Sequence, residues 1–164
     1  MRRWKYNATK TSLFNADDLA KLANDHSAHW LTAQTIVLPK SANDYQYQLL
    51  SKTSKGFNSI DLVAVSFPDQ LAASFPHLSA LQAYNVKLTP EQSKQWLKQQ
   101  LMVVALDQSQ QAQKVSFVQT GPVIDALYTQ GKNDADEVLD LGAVITEQGV
   151  SFKIWAPTAQ SVSV

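Results

Sequence analysis

Short runs in which apolar and polar residues alternate are the feature that most constrains the fold of this chain. Tyr45, Tyr47 and Leu49 alternate with polar neighbours, and so do Val115 and Phe117. A period of two places successive side chains on opposite faces of a strand. Such runs recur about a dozen residues apart, with turn residues between them. The pattern predicts a mainly β fold, a sandwich-like antiparallel β domain with one or two short helices.

Two segments carry the sequence signals of a short helix. Asn15 precedes Asp17 and Asp18, so a capping side chain is followed by acidic residues in the first turn. This predicts a helix over about 16–24. Thr89-Pro90-Glu91-Gln92 combines a cap, a proline at the first helical position and a capping-box glutamine, which predicts a helix to about Lys98.

Composition excludes several classes of function. Hydrophobic residues make up 45% of the chain and charged residues 17%, which suits a domain with a core. Fourteen basic residues balance fourteen acidic ones, so no nucleic-acid partner is expected. We find no apolar run long enough for a membrane segment and no cysteine for a disulfide or thiolate site. No apolar stretch follows Met1-Arg2-Arg3, so a signal peptide is not expected here.

The ionisable residues give weak functional signals. Asp134, Asp136, Glu137 and Asp140 cluster in a polar stretch, which we interpret as a solvated acidic linker. The alternative is a weak calcium site, although the ligand spacing of an EF-hand loop is absent.

The three histidines also favour structural or surface roles. His26 and His29 have a spacing seen in metal sites, but no third ligand follows at a helical interval. We therefore predict no metal site and no other cofactor in this chain.

The aromatic residues are the strongest candidates for a binding function, because a flat apolar ring with a polar edge suits a sugar. Trp30 and Trp96 lie beside apolar residues and are predicted to be core, whereas Trp4 lies in a short polar segment. Trp155, followed closely by Pro157, ends a predicted strand. We expect these two residues to pack against a neighbouring domain, with glycan contact as the alternative.

The last sixteen residues carry the most specific motif. Val150, Phe152 and Ile154 alternate with polar residues, Trp155-Ala156-Pro157 ends the run, and a second alternation begins near Val162. This stretch resembles the opening of the family-48 carbohydrate-binding module, an immunoglobulin-like β-sandwich that precedes the catalytic barrel of starch-debranching enzymes. We expect these residues to be the first strands of that module.

Two tetrapeptides extend the resemblance into the middle of the chain. Ala28-His29-Trp30-Leu31 and Phe75-Pro76-His77-Leu78 precede the Trp155 stretch in the order found in bacterial pullulanases. The chain is similar to the second N-terminal domain of type I pullulanases, followed by the start of the family-48 module. The predicted organisation is an N-terminal segment with a short helix (1–27), a pullulanase-type β-rich domain (28–130), a linker (131–140) and the truncated start of the family-48 module (141–164).

The resemblance implies a parent enzyme that hydrolyses α-1,6 branch linkages in pullulan, glycogen or limit dextrins, with an Asp nucleophile and a Glu acid/base. The signature Tyr-Asn-Trp-Gly-Tyr-Asp-Pro and the barrel motifs are absent here, so we assign no catalytic residue and expect the chain to be inactive alone. The expected partners are its own catalytic barrel and carbohydrate-binding module, with at most weak binding of α-glucan. Calcium in the parent and a location outside a Gram-negative cell, or on its surface, are further implications.

A second interpretation remains open. The chain could instead be a freestanding α-glucan-binding or adhesion-type β-sandwich, whose module-like end is incidental. Cooperative folding of residues 1–164 alone and measurable binding of an α-glucan would favour this alternative.

Overall fold

The computed structural model describes residues 10–12, 14–131 and 135–163, and for residues 10–12 the backbone only. Its strands are β1 (Lys10–Ser12), β2 (Ala23–Thr32), β3 (Thr35–Leu38), β4 (Gln46–Thr53), β5 (Gly56–Val65), β6 (Gln82–Asn85), β7 (Leu101–Leu106), β8 (Ala112–Gln119), β9 (Gly142–Thr146) and β10 (Gly149–Lys153). Its helices are α1 (Ala16–Leu22), α2 (Asp69–Ser74), α3 (Pro90–Trp96) and α4 (Gly121–Tyr128), with 3-10 turns at Pro76–Leu78 and Ala135–Glu137.

Eight strands form one sheet in the order β1-β5-β4-β7-β8-β2-β3-β6, and β5 also pairs with β6. The second pairing closes the sheet, because β5 contacts β4 along one side and β6 along the end of the other. Val63, Ala64 and Val65 of β5 lie opposite Asn85, Tyr84 and Ala83 of β6. The domain is therefore mainly β with minor α, as the alternating pattern predicted, and its sheet is closed like a barrel.

One strand pair departs from the predicted antiparallel arrangement. β2 and β8 run parallel, from Ala23 opposite Val115 to His29 opposite Gln119. A tight turn forces neighbouring strands of a hairpin to be antiparallel, but β2 and β8 are separated by most of the domain and carry no such constraint. The other described pairings of this sheet are antiparallel, as predicted, and β2–β8 is the exception.

Helix prediction succeeded where a cap was present in the sequence. The Asn15 side chain accepts a hydrogen bond from Asp17 N, and α1 begins at the next residue. The capping box forms as expected, since Thr89 Oγ1 accepts from Gln92 N and Thr89 N donates to Gln92 Oε1. α2 and α4 form beyond the one or two helices expected, and both lack a side-chain cap hydrogen bond, so no capping residue in the sequence indicated them.

Three groups of buried side chains form the core. The largest surrounds Trp30 and Ile36 and includes Leu49, Val103 and Val123. The second packs beneath α1, where Leu19 meets side chains of β4, β5, β7 and β8. The third lies beneath α2 and the turn that follows it. These groups pack apolar side chains against both faces of the sheet. The packing holds the strands, and any site at their ends, in fixed positions.

β9 and β10 form a separate two-stranded antiparallel hairpin, joined by a turn at 147–148. Gly149 has a φ of +138°, a conformation that side chains with a Cβ rarely adopt. The side chain of Lys153 contacts the carboxylate of Asp140 beside the hairpin. Farther on, Gln160 Nε2 donates to the Lys98 carbonyl at 2.8 Å, which connects this region to the end of α3. Within the described residues, we find no helix of the length and apolarity needed to cross a bilayer.

Candidate functional site

The two residues predicted as a packing or glycan contact lie just after β10. Trp155 is 45% exposed, and Pro157 is half-buried. Trp155 lines a shallow cavity of about 400 Å³ together with Val138, Leu141 and Phe152. The structure thus presents Trp155 on a mostly apolar surface, and its role stays a prediction.

The other tryptophans divide as their neighbours in sequence suggested. Trp30 has no exposed surface and belongs to the largest core cluster, and Trp96 packs partly buried against it. Trp4 lies outside the described residues. Trp30 is closed to a ligand and Trp96 packs against the core, so the tyrosines are the better placed aromatic residues for a ligand.

The ionisable residues singled out by the sequence do not form one site. His26 is exposed and stacks on Phe117, with ring centroids 5.1 Å apart. His29 is half-buried near His77, and burial followed by repulsion from His77 lowers the pKa of His29.

The acidic cluster is also dispersed. Asp136 and Glu137 lie in the 3-10 turn, Asp140 contacts Lys153, which lowers the Asp140 pKa, and Asp134 is outside the described residues. Among the described residues, no group of three or more His, Cys, Asp or Glu is placed to hold a metal ion.

A cavity at one end of the closed sheet was not predicted from the sequence. It has a volume of about 690 Å³ and lies where β4 begins, bordered by β5, β6, the 40–45 loop and the turn after β7. Three half-buried tyrosines line it, Tyr45, Tyr47 and Tyr84. We call it the tyrosine cavity.

Strand register brings two of these tyrosines to one face of the sheet. Tyr47 lies opposite Leu62 on β5, and two residues later Ala64 lies opposite Tyr84 on β6. Residues opposite each other, and residues two apart, share a face of a sheet. Both tyrosines pack against the Trp30 core cluster, which holds their rings in place. Closure of the sheet through β5 and β6 is therefore what assembles the aromatic wall.

The three rings form a connected series. The centroids of Tyr47 and Tyr84 are 5.1 Å apart with the rings tilted by 58°, and Tyr45 meets Tyr47 edge to face at 6.4 Å. Burial raises the pKa of Tyr47, and the nearby Tyr45 adds to the effect while the Ser41 hydroxyl opposes it. Burial, followed by proximity to Tyr47, raises the pKa of Tyr84 as well. Both phenols are therefore neutral at and well above neutral pH.

Amide side chains surround the aromatic wall and are held by hydrogen bonds. Gln48 Nε2 donates to Asp61 Oδ1 at 2.7 Å, a contact between directly opposed residues of β4 and β5. Gln110 Nε2 donates to Gln46 Oε1 at 2.8 Å, and Asn43 Nδ2 donates to the Tyr45 hydroxyl at 2.9 Å. An amide has two N–H donors and a carbonyl acceptor, so one such contact orients the group and leaves further bonding capacity.

Sequence reasoning missed this cavity for a definable reason. Tyr45 and Tyr47 were recognised as the aromatic positions of a strand, and that local signal was present. Tyr84 enters from β6, and no local pattern places it beside Tyr47. The local signal was the stretch over residues 81–86, which contains the third tyrosine and whose residue types are compatible with a short strand.

Residues 25–126 match the family described as the pullulanase N2 domain. The chain belongs to this family. The match begins in β2, ends in α4 and includes every residue of the tyrosine cavity. It confirms the predicted similarity to the second N-terminal domain of pullulanases. The proposed start of a family-48 module at 141–164 lies beyond the match and stays a prediction, as do the predicted domain boundaries.

Whole pullulanases include this N2 domain within much longer chains. The pullulanase of Klebsiella pneumoniae is 28% identical over 149 residues, which are 84% of this chain and 13% of that protein. Pullulanase 1, chloroplastic, of Arabidopsis thaliana is 32% identical over 99 residues, 60% of this chain and 9% of that protein. The chain thus spans about an eighth or less of the curated relatives it matches.

Solved structures share the N2 fold. The ligand-free PulA of Klebsiella pneumoniae superposes with a TM-score of 0.69 at 26% identity, covering 87% of this chain and 14% of that one. The Klebsiella pneumoniae pullulanase complexed with maltotriose gives a TM-score of 0.68 at 26% identity, covering 84% and 14%. The chain therefore shares its fold with one part of these longer pullulanase chains.

Proposed function

We propose that this chain is a non-catalytic N-terminal accessory and docking region of a pullulanase, a glycoside hydrolase that cleaves α-1,6 branch linkages in pullulan, glycogen or limit dextrins. The observation that carries the proposal is the N2 match over residues 25–126. It is supported by the small share of each relative that the chain spans. The catalytic barrel and the rest of a family-48 carbohydrate-binding module would be its covalent partners.

The β9–β10 hairpin supplies a surface suited to docking. Ala143, Ile145, Val150 and Phe152 share one face, because Ile145 lies opposite Val150 and Ala143 opposite Phe152. We call this the hairpin face. Ile145 is 84% exposed and Phe152 is 68% exposed. Sheets with one apolar face normally bury it against another layer, and each large side chain buried contributes about 1.5–3 kcal/mol.

Trp155 and Pro157 extend the same contact in this proposal. Trp155 lies next to the hairpin face across the shallow cavity that Phe152 also lines. A tryptophan at that position would be buried by a neighbouring sandwich layer or by the barrel. Calcium in the parent is a further part of the proposal. Secretion by a Gram-negative bacterium is part of the proposal for the parent, and the relatives include a bacterial and a chloroplastic protein.

The test compares matched variants in the full-length enzyme and in the 164-residue chain. Ile145→Ser should lower the melting temperature of the full-length enzyme and change that of the chain alone little. Val63→Ser is the control, since Val63 is also a strand residue and 46% exposed, but lies on β5 away from the hairpin face. Equal effects of the two substitutions in the full-length enzyme would refute docking through the hairpin face.

Trp155→Ala separates docking from ligand binding at the predicted site. Docking predicts that this substitution lowers the stability of the full-length enzyme more than its affinity for maltooligosaccharide. A loss of affinity with unchanged stability would make Trp155 a binding residue and would refute its docking role.

A freestanding α-glucan-binding domain remains the second candidate, and the tyrosine cavity is the observation that favours it. Such a domain would bind α-glucan with no requirement for a catalytic barrel, and Ile145→Ser would then affect the full-length enzyme no more than Val63→Ser. That comparison, rather than glucan binding alone, separates the two candidates.

A further inference from the structure

The tyrosine cavity combines two features that rarely occur together on a protein surface. Its wall contains three aromatic rings, two of them held by the core, and its rim contains amides already oriented by neighbours. Ligand sites characteristically combine an apolar wall with a few polar groups in fixed positions, and the mouth of a closed sheet is a common place for them. The cavity therefore has the construction of a binding site.

The chemistry of the lining restricts the class of ligand. Among the described residues that line the cavity, Lys40 is the basic one, and Asp44 and Asp61 are the acidic ones. A phosphate-bearing ligand would normally be met by several cations or by a bidentate arginine, and the described part of the lining holds neither. A purely apolar ligand would leave the remaining donors and acceptors of the Gln46 and Gln48 amides without partners, because each amide makes one of its possible hydrogen bonds within the domain.

A sugar ring fits both halves of the lining. Its C–H face packs on an aromatic ring, while its hydroxyls at the edge both donate and accept hydrogen bonds. The rings of Tyr45, Tyr47 and Tyr84 succeed one another at 6.4 and 5.1 Å, so the wall can contact more than one unit of a chain. The open shape and the volume of about 690 Å³ leave room for an extended ligand to enter and leave along the surface.

We propose that the tyrosine cavity binds a short stretch of neutral α-glucan and so gives this domain a carbohydrate-binding site of its own. The aromatic wall and the oriented amides are the evidence for a carbohydrate. The choice of an α-glucan rests on the proposed function. The site is distinct from Trp155 and the hairpin face, so the domain would bind a glucan with one surface and dock with another.

The experiment is a titration of the 164-residue chain with maltohexaose. Binding is measured by calorimetry and by changes in the amide chemical shifts. We expect saturable binding with a Kd of about a millimolar, a weak affinity that suits a shallow site. Shifts should concentrate at Gln46, Tyr47 and Tyr84. Cellohexaose, which has the same units joined by β-linkages, should bind at least several-fold more weakly because its chain is straighter.

Matched tyrosine substitutions test the location. Tyr45→Ala should weaken binding about tenfold, equivalent to about 1.4 kcal/mol, because it removes one of the aromatic faces on which a sugar ring would pack. Tyr128→Ala is the control, because Tyr128 is also half-buried but lies on α4, where its ring contacts Lys94. If Tyr45→Ala impairs folding, the shift map of the unmodified chain still decides the location.

Three results would overturn the proposal: no saturable binding of maltohexaose, tighter binding of cellohexaose, or shifts that avoid the cavity. None of them bears on docking, because Ile145→Ser and Trp155→Ala are read out in the full-length enzyme. Failure at the tyrosine cavity would therefore leave the proposed accessory role standing, and failure of docking would leave the glucan site standing.

Discussion

The backbone N–H of Ala28 donates to the hydroxyl oxygen of Ser116 at 3.1 Å, across the parallel pair β2–β8. The register of this pair shifts between Asp25 and Ala28. At this irregularity the Ser116 side chain, rather than a backbone carbonyl of β8, accepts the hydrogen bond from Ala28. Ala28 is completely buried and Ser116 nearly so. A side-chain hydroxyl thus stabilises the one parallel pairing among the described strands of the closed sheet.

Ser116→Ala is expected to destabilise the domain by about 1–3 kcal/mol, the usual cost of leaving a buried N–H without its partner. The measurement is urea denaturation of the 164-residue chain, followed by tryptophan fluorescence. Ser54→Ala is the control, because Ser54 lies exposed in the turn between β4 and β5 and should change stability little. Equal midpoints for the two variants would show that the Ala28–Ser116 contact contributes nothing to stability.

Trp30→Ala should cost about 3–5 kcal/mol in the same assay, because it removes a large side chain from a closely packed core. Trp155→Ala is the matched comparison within the chain alone, where its 45% exposure predicts a small effect. The contrast between the two tryptophans checks the core assignment independently of docking. Comparable losses of stability would mean that Trp155 is already buried in the 164-residue chain.

The cap of α3 offers a local test. Thr89→Ala removes the oxygen that accepts from Gln92 N, and we expect a loss of about 0.5–2 kcal/mol. Gln95→Ala, on the exposed side of the same helix, should leave stability nearly unchanged. Thermal unfolding of both variants gives the comparison, and an effect of Gln95→Ala as large as that of Thr89→Ala would argue against the capping box as the cause.

His29 should make stability depend on pH. Its pKa in the folded state is lowered, first by burial and then by His77, so the unfolded chain binds more protons than the folded one near and below the ordinary histidine pKa. The free energy of unfolding should therefore fall as pH drops through about 6.5 and stop falling from this cause below the folded-state pKa. Denaturation midpoints between pH 7.5 and about 5 would measure the slope.

Two substitutions assign that slope. His29→Gln should remove the His29 contribution, and His77→Gln should reduce it in part, because burial continues to lower the pKa of His29 after the repulsion is gone. An unchanged slope in His29→Gln would assign the pH dependence to other groups.

Local signals in the sequence were sufficient for most of the fold. The caps at Asn15 and Thr89 predicted α1 and α3, and the alternation of Val115 and Phe117 with polar residues predicted the strand β8. These elements are determined by neighbours within a few residues. The parallel contact between β2 and β8 was not predictable in this way, since residues 23–29 and 115–119 are far apart in the sequence.

The candidate site shows the same division. Trp30 was correctly assigned to the core from its apolar neighbours, and the exposure of Trp155 agrees with a surface role that remains untested. The tyrosine cavity depends on the pairing of β5 with β6, a contact between strands that a helix and a 3-10 turn separate. A motif search sees Tyr45 and Tyr47 as one strand and Tyr84 as part of another, and it has no means of joining them.

The double pairing of β5 also determines where the sheet structure can grow. With β6 on part of its outer side and β1 on the rest, β5 offers little free backbone to an incoming strand. β9 and β10, by contrast, pair only with each other among the described strands, so each has a side without a strand partner. Strand addition by another segment is favoured at such sides and disfavoured where a strand is paired on both sides. Among the described strands, a further segment can therefore pair at the hairpin and at the outer side of β1, whereas the strands between them are protected from cross-strand aggregation.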